Sequence, residues 1–196
     1  MPDDATVAHF YDQLAADYHL VYADWDAGMD RQGRALDAVV RAGLGTESAS
    51  VLDCACGIGT QAIALALRGH RVTGTDISSS AVARAVREAA ARDVTLPVAV
   101  ADMRRLPFPD GHFDAVVSAD NALPHLLTAQ DVRAALAEMR RVLRPGGLLM
   151  VSTRPYDEIL RSRPAATPPR PSGPPDGRTG SAEPASPLVR RREVIA

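Results

Sequence analysis

The stretch Val51 to Thr60, "VLDCACGIGT", limits the possible folds more than any other part of the chain. An apolar run ends in an acid, Asp53, and passes into a turn where Gly57 and Gly59 supply backbone freedom that other residues lack. A helical pattern follows from Thr60 to Arg68, then a second apolar run, Arg71 to Thr75, with Asp76 just beyond it. Strand, glycine turn, helix and strand in that order make a βαβ unit, whose two strands run parallel.

The alternation continues. Ser79 to Arg92 reads as an Ala-rich helix with Val82, Val86 and Ala89 on one face, "LPVAVAD" as a third strand and "HFDAVVSAD" as a fourth. Thr128 and Asp131 form a capping box opening a helix whose Val132, Leu136, Met139 and Leu143 share a stripe. "RPGG" stops that helix, and "LLMVST" supplies a fifth strand. Strands alternating with helices predict an α/β fold, a Rossmann-like parallel sheet with helices on both faces and ligands beyond the carboxyl ends of the strands. Asp53, Asp76, Asp102 and Asp120 each close a successive apolar run, so all four would line that rim. Any one of them would pass as a solvated strand end; four in register favour a site.

Before the sheet, residues 1–45 predict lid helices. His9 to Gly28 holds Tyr11, Tyr18, Tyr22 and Trp25 in a chain that is only 4% aromatic, and Leu36, Val39, Val40 and Leu44 then recur at helical spacing, with Gly43 and Gly45 available to end the helix. The α/β core is expected over residues 46–160. From Arg161 to Ala196 Pro, Gly, Ser and Arg crowd the chain without apolar periodicity, which predicts a disordered tail.

Composition removes several chemistries. All 22 basic residues are Arg, so no lysine exists to form a Schiff base or to serve a P-loop. Cys54 and Cys56 are the only cysteines, too few for a zinc site, and no metal is expected. A formal net charge of -2 gives no reason to expect a nucleic-acid partner. The acidic start, "MPDDATVAHF", and the lack of a long apolar run predict a cytoplasmic protein without a membrane span.

The glycine turn fits two kinds of cofactor. Gly57 to Ala62 satisfies the loose dinucleotide pattern, and Asp76 falls at the distance where an acid grips ribose hydroxyls, so an NAD(P)-dependent oxidoreductase is one reading. A pyrophosphate, however, would meet the carboxylate of Asp53 beside the turn. S-adenosylmethionine carries a sulfonium and an ammonium instead, and each acid finds a complementary task in it: Asp53 near the ammonium, Asp76 on the ribose diol, Asp102 at the adenine amino group. Ile77 and Met103, beside these acids, join the candidate cofactor set, and Tyr11 and Trp25 would offer aromatic faces to the sulfonium.

Four ordered segments, "VLDCACGIGT", "VTGTDIS", "VADMRRLPFPDGHFDAVVSADNALPHL" and "LRPGGLLMVS", resemble the class I S-adenosylmethionine-dependent methyltransferases over roughly residues 7 to 160. Within that family "DNALPHL" and "TRPYD" are similar to the glycine and sarcosine N-methyltransferases and their bacterial relatives, with Pro155 where those proteins have Asn. The resemblance implies that Asn121 and His125 border cofactor and substrate, that Arg154 binds the carboxylate of an amino-acid acceptor, and that Arg31 binds the carboxylate of the cofactor. It implies methyl transfer to a small-molecule acceptor, an amine or amino-acid nitrogen. It also implies a terminal antiparallel hairpin beside the fifth strand, and nothing after Leu160 reads as one. The fifth strand would then be an exposed sheet edge, a route to a homo-oligomer, and a cofactor-binding module without turnover remains an alternative.

Overall fold

The computed structural model describes residues 4–162. The chain runs through α1 (Asp4–Leu14), a 3-10 turn (Tyr18–Val21), α2 (Trp25–Leu44), β1 (Ser50–Asp53), α3 (Thr60–Ala66), β2 (Arg71–Asp76) and α4 (Ser79–Ala90). It continues through β3 (Val98–Val100), β4 (Phe113–Ser118), a second 3-10 turn (Leu123–His125), α5 (Ala129–Val142), β5 (Leu143–Val151) and α6 (Tyr156–Ser162). The strands form one sheet in the order β3-β2-β1-β4-β5, and every pair is parallel. The order reverses at β1, so a crevice opens beyond the ends of β1 and β4, where α/β sheets take their ligands.

Strand periodicity sorts the core onto two faces. Val51 of β1 packs with Met29 and Val40 of α2, Ile63 of α3 and Ala89 of α4. Its neighbour Leu52 points the other way, into a cluster with Met139 and Val142 of α5. The sheet is therefore covered on both sides, as the alternation of elements predicts.

Helix boundaries follow local chemistry. Helix α2 starts at Trp25, eleven residues ahead of Leu36, the first residue at helical spacing, because the Asp24 side chain accepts from Ala27 N. It ends where Gly45 takes a left-handed φ of 63°. Thr128 caps α5 by accepting from Asp131 N, as the capping box predicts. The stripes are less faithful: Val39 and Val86, expected on apolar faces, are exposed. Helix α5 stops at Val142, and "RPGG" enters β5 as an irregularity, with Phe113 paired to Leu143 but Ala115 to Leu148.

Helix α1 is fastened to α4 by polar links. Asp12 Oδ1 accepts from Ser78 Oγ at 2.6 Å and from Ser80 N at 2.9 Å, at the start of α4. The buried Arg84 donates from one nitrogen to the carbonyls of Ala15 and Ala16, both at 2.7 Å, closing the end of the α1 segment. Its guanidinium lies over the Trp25 ring at 5.6 Å.

Among the described residues the sheet has no antiparallel pair, and β5 has a strand neighbour on one side only. The expected core boundary at residue 160 falls inside α6, which continues to Ser162; the rest of the expected tail lies outside the described residues. No described helix is long and apolar enough to cross a membrane.

Candidate functional site

A cleft lies at the carboxyl ends of the strands, between the glycine turn below and α1 with its following 3-10 turn above. Of the residues singled out from the sequence, Tyr11, Gly57, Asp76, Ile77, Asp102, Met103 and His125 line it. Trp25, Arg31, Asp53, Gly59, Asn121 and Arg154 are absent from the lining. Residues without a sequence signal join it, among them Ile58, Thr60, Gln61 and Arg104.

The turn is built by the first helix of the βαβ unit. Gly57 and Gly59 have φ of 52° and 96°, and a Cβ on Gly59 would sit 2.7 Å from Ile63 Cδ1, so a side chain there is both strained and blocked. Asp76, at the end of β2, ties the turn down: its carboxylate accepts from Gly57 N at 2.8 Å and from Ser78 N at 2.9 Å. Burial pushes its carboxyl up, and those N–H groups work against that push.

Asp53 lies under this turn and not on the cleft wall. It is fully buried, Oδ1 is 3.4 Å from Ala55 N, and among the described residues Oδ2 has no partner. Burial, reinforced by the nearby Asp76 charge and opposed by the Ala55 N–H, raises its carboxyl to about 7. An orphaned buried carboxylate is costly unless a cation comes close. Trp25 likewise acts from behind, donating from Nε1 to Oγ1 of the lining residue Thr60 at 2.9 Å.

Asp102 reaches the wall with its charge already engaged. Burial alone would raise its carboxyl, but hydrogen bonds from Arg104 hold it below the ordinary range. Arg104 also donates to Asp131 at 2.9 Å. The arginine on the lining is thus held between two carboxylates.

The upper wall is aromatic and polar. Tyr11 Oη is 2.7 Å from Nε2 of His125, and the rings meet edge to face. Tyr22 donates to Asp120 Oδ2 at 2.6 Å. Burial raises the Tyr11, Tyr18 and Tyr22 phenols, and the charge of Asp120 adds to it, so all three stay protonated donors at neutral pH. Burial lowers the His125 imidazole, with Asp76 acting weakly the other way, which favours the neutral ring.

Asn121 belongs to the loop that carries this wall. Its Oδ1 accepts from Arg154 N at 3.2 Å and Tyr156 Oη at 2.8 Å, so it joins the exit of β4 to that of β5. Arg154 is exposed beyond the cleft lining, yet its charge opposes the rise of the Tyr11 and Tyr18 phenols. Arg31 is exposed on α2. Among the described residues no His, Cys, Asp and Glu cluster is arranged to hold a metal.

Residues 51–147 match the family described as a methyltransferase domain. The chain is 38% identical over 138 residues to a glycine/sarcosine N-methyltransferase of Parasynechococcus marenigrum, covering 70% of this chain and 48% of that protein. It is 39% identical over 160 residues to a demethylmenaquinone methyltransferase of Beutenbergia cavernae, covering 79% and 61%. A SAM-bound amino pentose methyltransferase from Micromonospora echinaspora shares its fold with a TM-score of 0.59 and 27% identity, over 71% of this chain and 55% of the other. The chain belongs to the class I S-adenosylmethionine-dependent methyltransferases. It spans about half to three fifths of the length of these curated relatives.

The cleft suits the family's cofactor, S-adenosylmethionine. The turn brings backbone against the lining, Asp76 stands at the end of β2, and Asp53 lies beneath the turn with an oxygen that no described residue engages. A pyrophosphate would meet the same carboxylates, with Arg104 already taken.

Proposed function

We propose that this chain transfers a methyl group from S-adenosylmethionine to the nitrogen of a small amine or amino acid. When bound, the cofactor supplies an electrophilic methyl group on a positively charged sulfur. The residues of this chain need only hold an acceptor lone pair in line and keep water away, a proximity effect of roughly 7–11 kcal/mol. One observation carries the reading: the cleft mouth combines the Asp120 carboxylate, three protonated phenols and a neutral-leaning imidazole, a set suited to binding and orienting N–H groups. Arg154, held near the same wall by Asn121, is suited to an acceptor carboxylate. The relative named for glycine and sarcosine supports this choice; the relative named for demethylmenaquinone makes a phenolic acceptor the alternative.

Labelled S-adenosylmethionine incubated with amines, amino acids and hydroquinones separates the two. Transfer to amino acids is expected, with KM raised about tenfold or more in Arg154→Ala for acceptors that bear a carboxylate and little changed for those that do not, the loss of one charge-assisted contact. Transfer to hydroquinones alone would sink the amine reading. Calorimetry with S-adenosylhomocysteine against NAD tests the cofactor independently.

Self-association belongs to the same proposal. Among the described residues no strand pairs with the outer side of β5, Leu149 and Val151 are exposed, and two such edges are complementary. Sedimentation velocity is expected to reveal a dimer that dissociates on dilution; a monomer at every concentration would remove the idea.

A further inference from the structure

We propose that Asp120 is the specificity residue that selects a protonated or free amine as the acceptor. The assignment rests on the amine reading above and names the group that enforces it.

The first observation is the backbone. Asp120 and Asn121 are consecutive non-glycine residues with φ of 54° and 72°, and left-handed residues of this kind persist only where their surroundings fix them. Ser152 does so. Its Oγ accepts from Asp120 N at 3.0 Å and its carbonyl from Asn121 N at 3.3 Å. The result is an aspartate that leaves the end of β4 and still lines the cleft.

The second observation is how its charge is left. Asp76 is satisfied by backbone N–H groups and Asp102 by Arg104. Asp120 receives a single neutral donor, Tyr22, on Oδ2, and among the described residues Oδ1 has no partner. Arg154 is close enough to act on Tyr11 and Tyr18 but makes no ion pair with Asp120 among the described residues. The mouth therefore holds an accessible negative group and a separate positive one, with neutral phenols around them.

A carboxylate with one free oxygen accepts an N–H from an ammonium and from the free amine alike, so it holds the nitrogen through loss of its proton to water. The proton lost is the one on the nitrogen's lone pair, while the hydrogen bond to Asp120 fixes the direction in which that lone pair points. A phenolate meets repulsion at the same oxygen, which is discrimination by an unfavourable contact. An amino acid satisfies both ends, its ammonium at Asp120 and its carboxylate toward Arg154. Tyr22 is the positioning residue, engaging Oδ2 and leaving Oδ1 free for the acceptor.

Binding of glycine and of ethylamine to the chain loaded with S-adenosylhomocysteine, measured by calorimetry, tests this without turnover. Asp120→Asn is expected to weaken both about tenfold or more, with S-adenosylhomocysteine affinity held within about twofold. Tyr22→Phe is expected to produce a smaller loss of the same kind. Asp120→Gly, which suits the left-handed backbone, guards against a folding failure and should behave like the Asn variant. Unchanged amine affinity in both Asp120 variants, or a parallel fall in S-adenosylhomocysteine affinity, would overturn the assignment alone. Failure of the wild-type chain to bind either amine, whether or not it binds hydroquinone, would overturn the amine reading itself and the assignment with it.

Discussion

Asp76→Ala is expected to weaken S-adenosylhomocysteine binding at least about 100-fold. The carboxylate does two jobs at one point in the fold. It accepts from Gly57 N and Ser78 N, which fixes the glycine turn against β2 and the start of α4, and in the proposed reading it also meets the ribose diol of the cofactor. In that reading the same carboxylate accepts from both hydroxyls of the diol, and hydrogen bonds to a charged group contribute roughly 1.5–3 kcal/mol each. Even the lower figure for both gives about 3 kcal/mol, or two decades in Kd. Calorimetry reads the affinity, and the far-ultraviolet circular dichroism should be unchanged because the strand core does not involve this side chain. Affinity within threefold of wild type would show that the turn and the diol are held by something else.

A second large effect is expected from pH acting on Asp53. Its carboxyl, ordinarily at 3.8, stands at about 7 in the folded chain because burial penalises the charge. Between those values the folded chain holds a proton that the unfolded chain has released. The stabilisation is complete below about 3.8 and is lost as pH rises to about 7, a span of about three pH units or about 4 kcal/mol. Carboxylates whose folded values are depressed, Asp102 and Glu138 among them, act in the opposite sense, contributing stability that is fully present above their unfolded values and lost as pH falls through the folded ones. The difference between wild type and Asp53→Asn isolates the one group. In urea denaturation from pH 4 to 8, wild type should lose stability relative to the variant up to about pH 7 and run parallel to it beyond. A cationic ligand favours the ionised form, so S-adenosylmethionine binding below pH 7 should release a proton, detectable by calorimetry in buffers of different ionisation enthalpy. Parallel stability curves across the whole range would refute the picture of an uncompensated buried acid.

Much of this was readable from the residues in order. The βαβ unit announced itself through one turn and two apolar runs, because a glycine turn between strand and helix has few uses, and the capping box at Thr128 located the start of α5. Local rules failed where the deciding partner lies far along the chain. Tyr11 meets His125 across 114 residues and Tyr22 meets Asp120 across 98, so nothing near either residue signals the contact. Asp53 was legible as an acid beside the turn, but its burial beneath the turn follows from the closing of β2 and β4 on either side of β1. Arg104 gave no sign that it would occupy Asp102, since a bare arginine two residues from an acid is common on any surface. Val86 was misjudged because an Ala-rich helix leaves its apolar face weakly marked.

The two left-handed residues that end β4 set durability against chemistry. Glycine at 120 and 121 meets no Cβ penalty in that conformation, whereas Asp and Asn carry a small one. A screen for heat-resistant variants would therefore be drawn to this corner, and the winners would discard the carboxylate and the amide that sit there. Sturdier descendants of this chain should be checked for lost acceptor recognition before they are put to use.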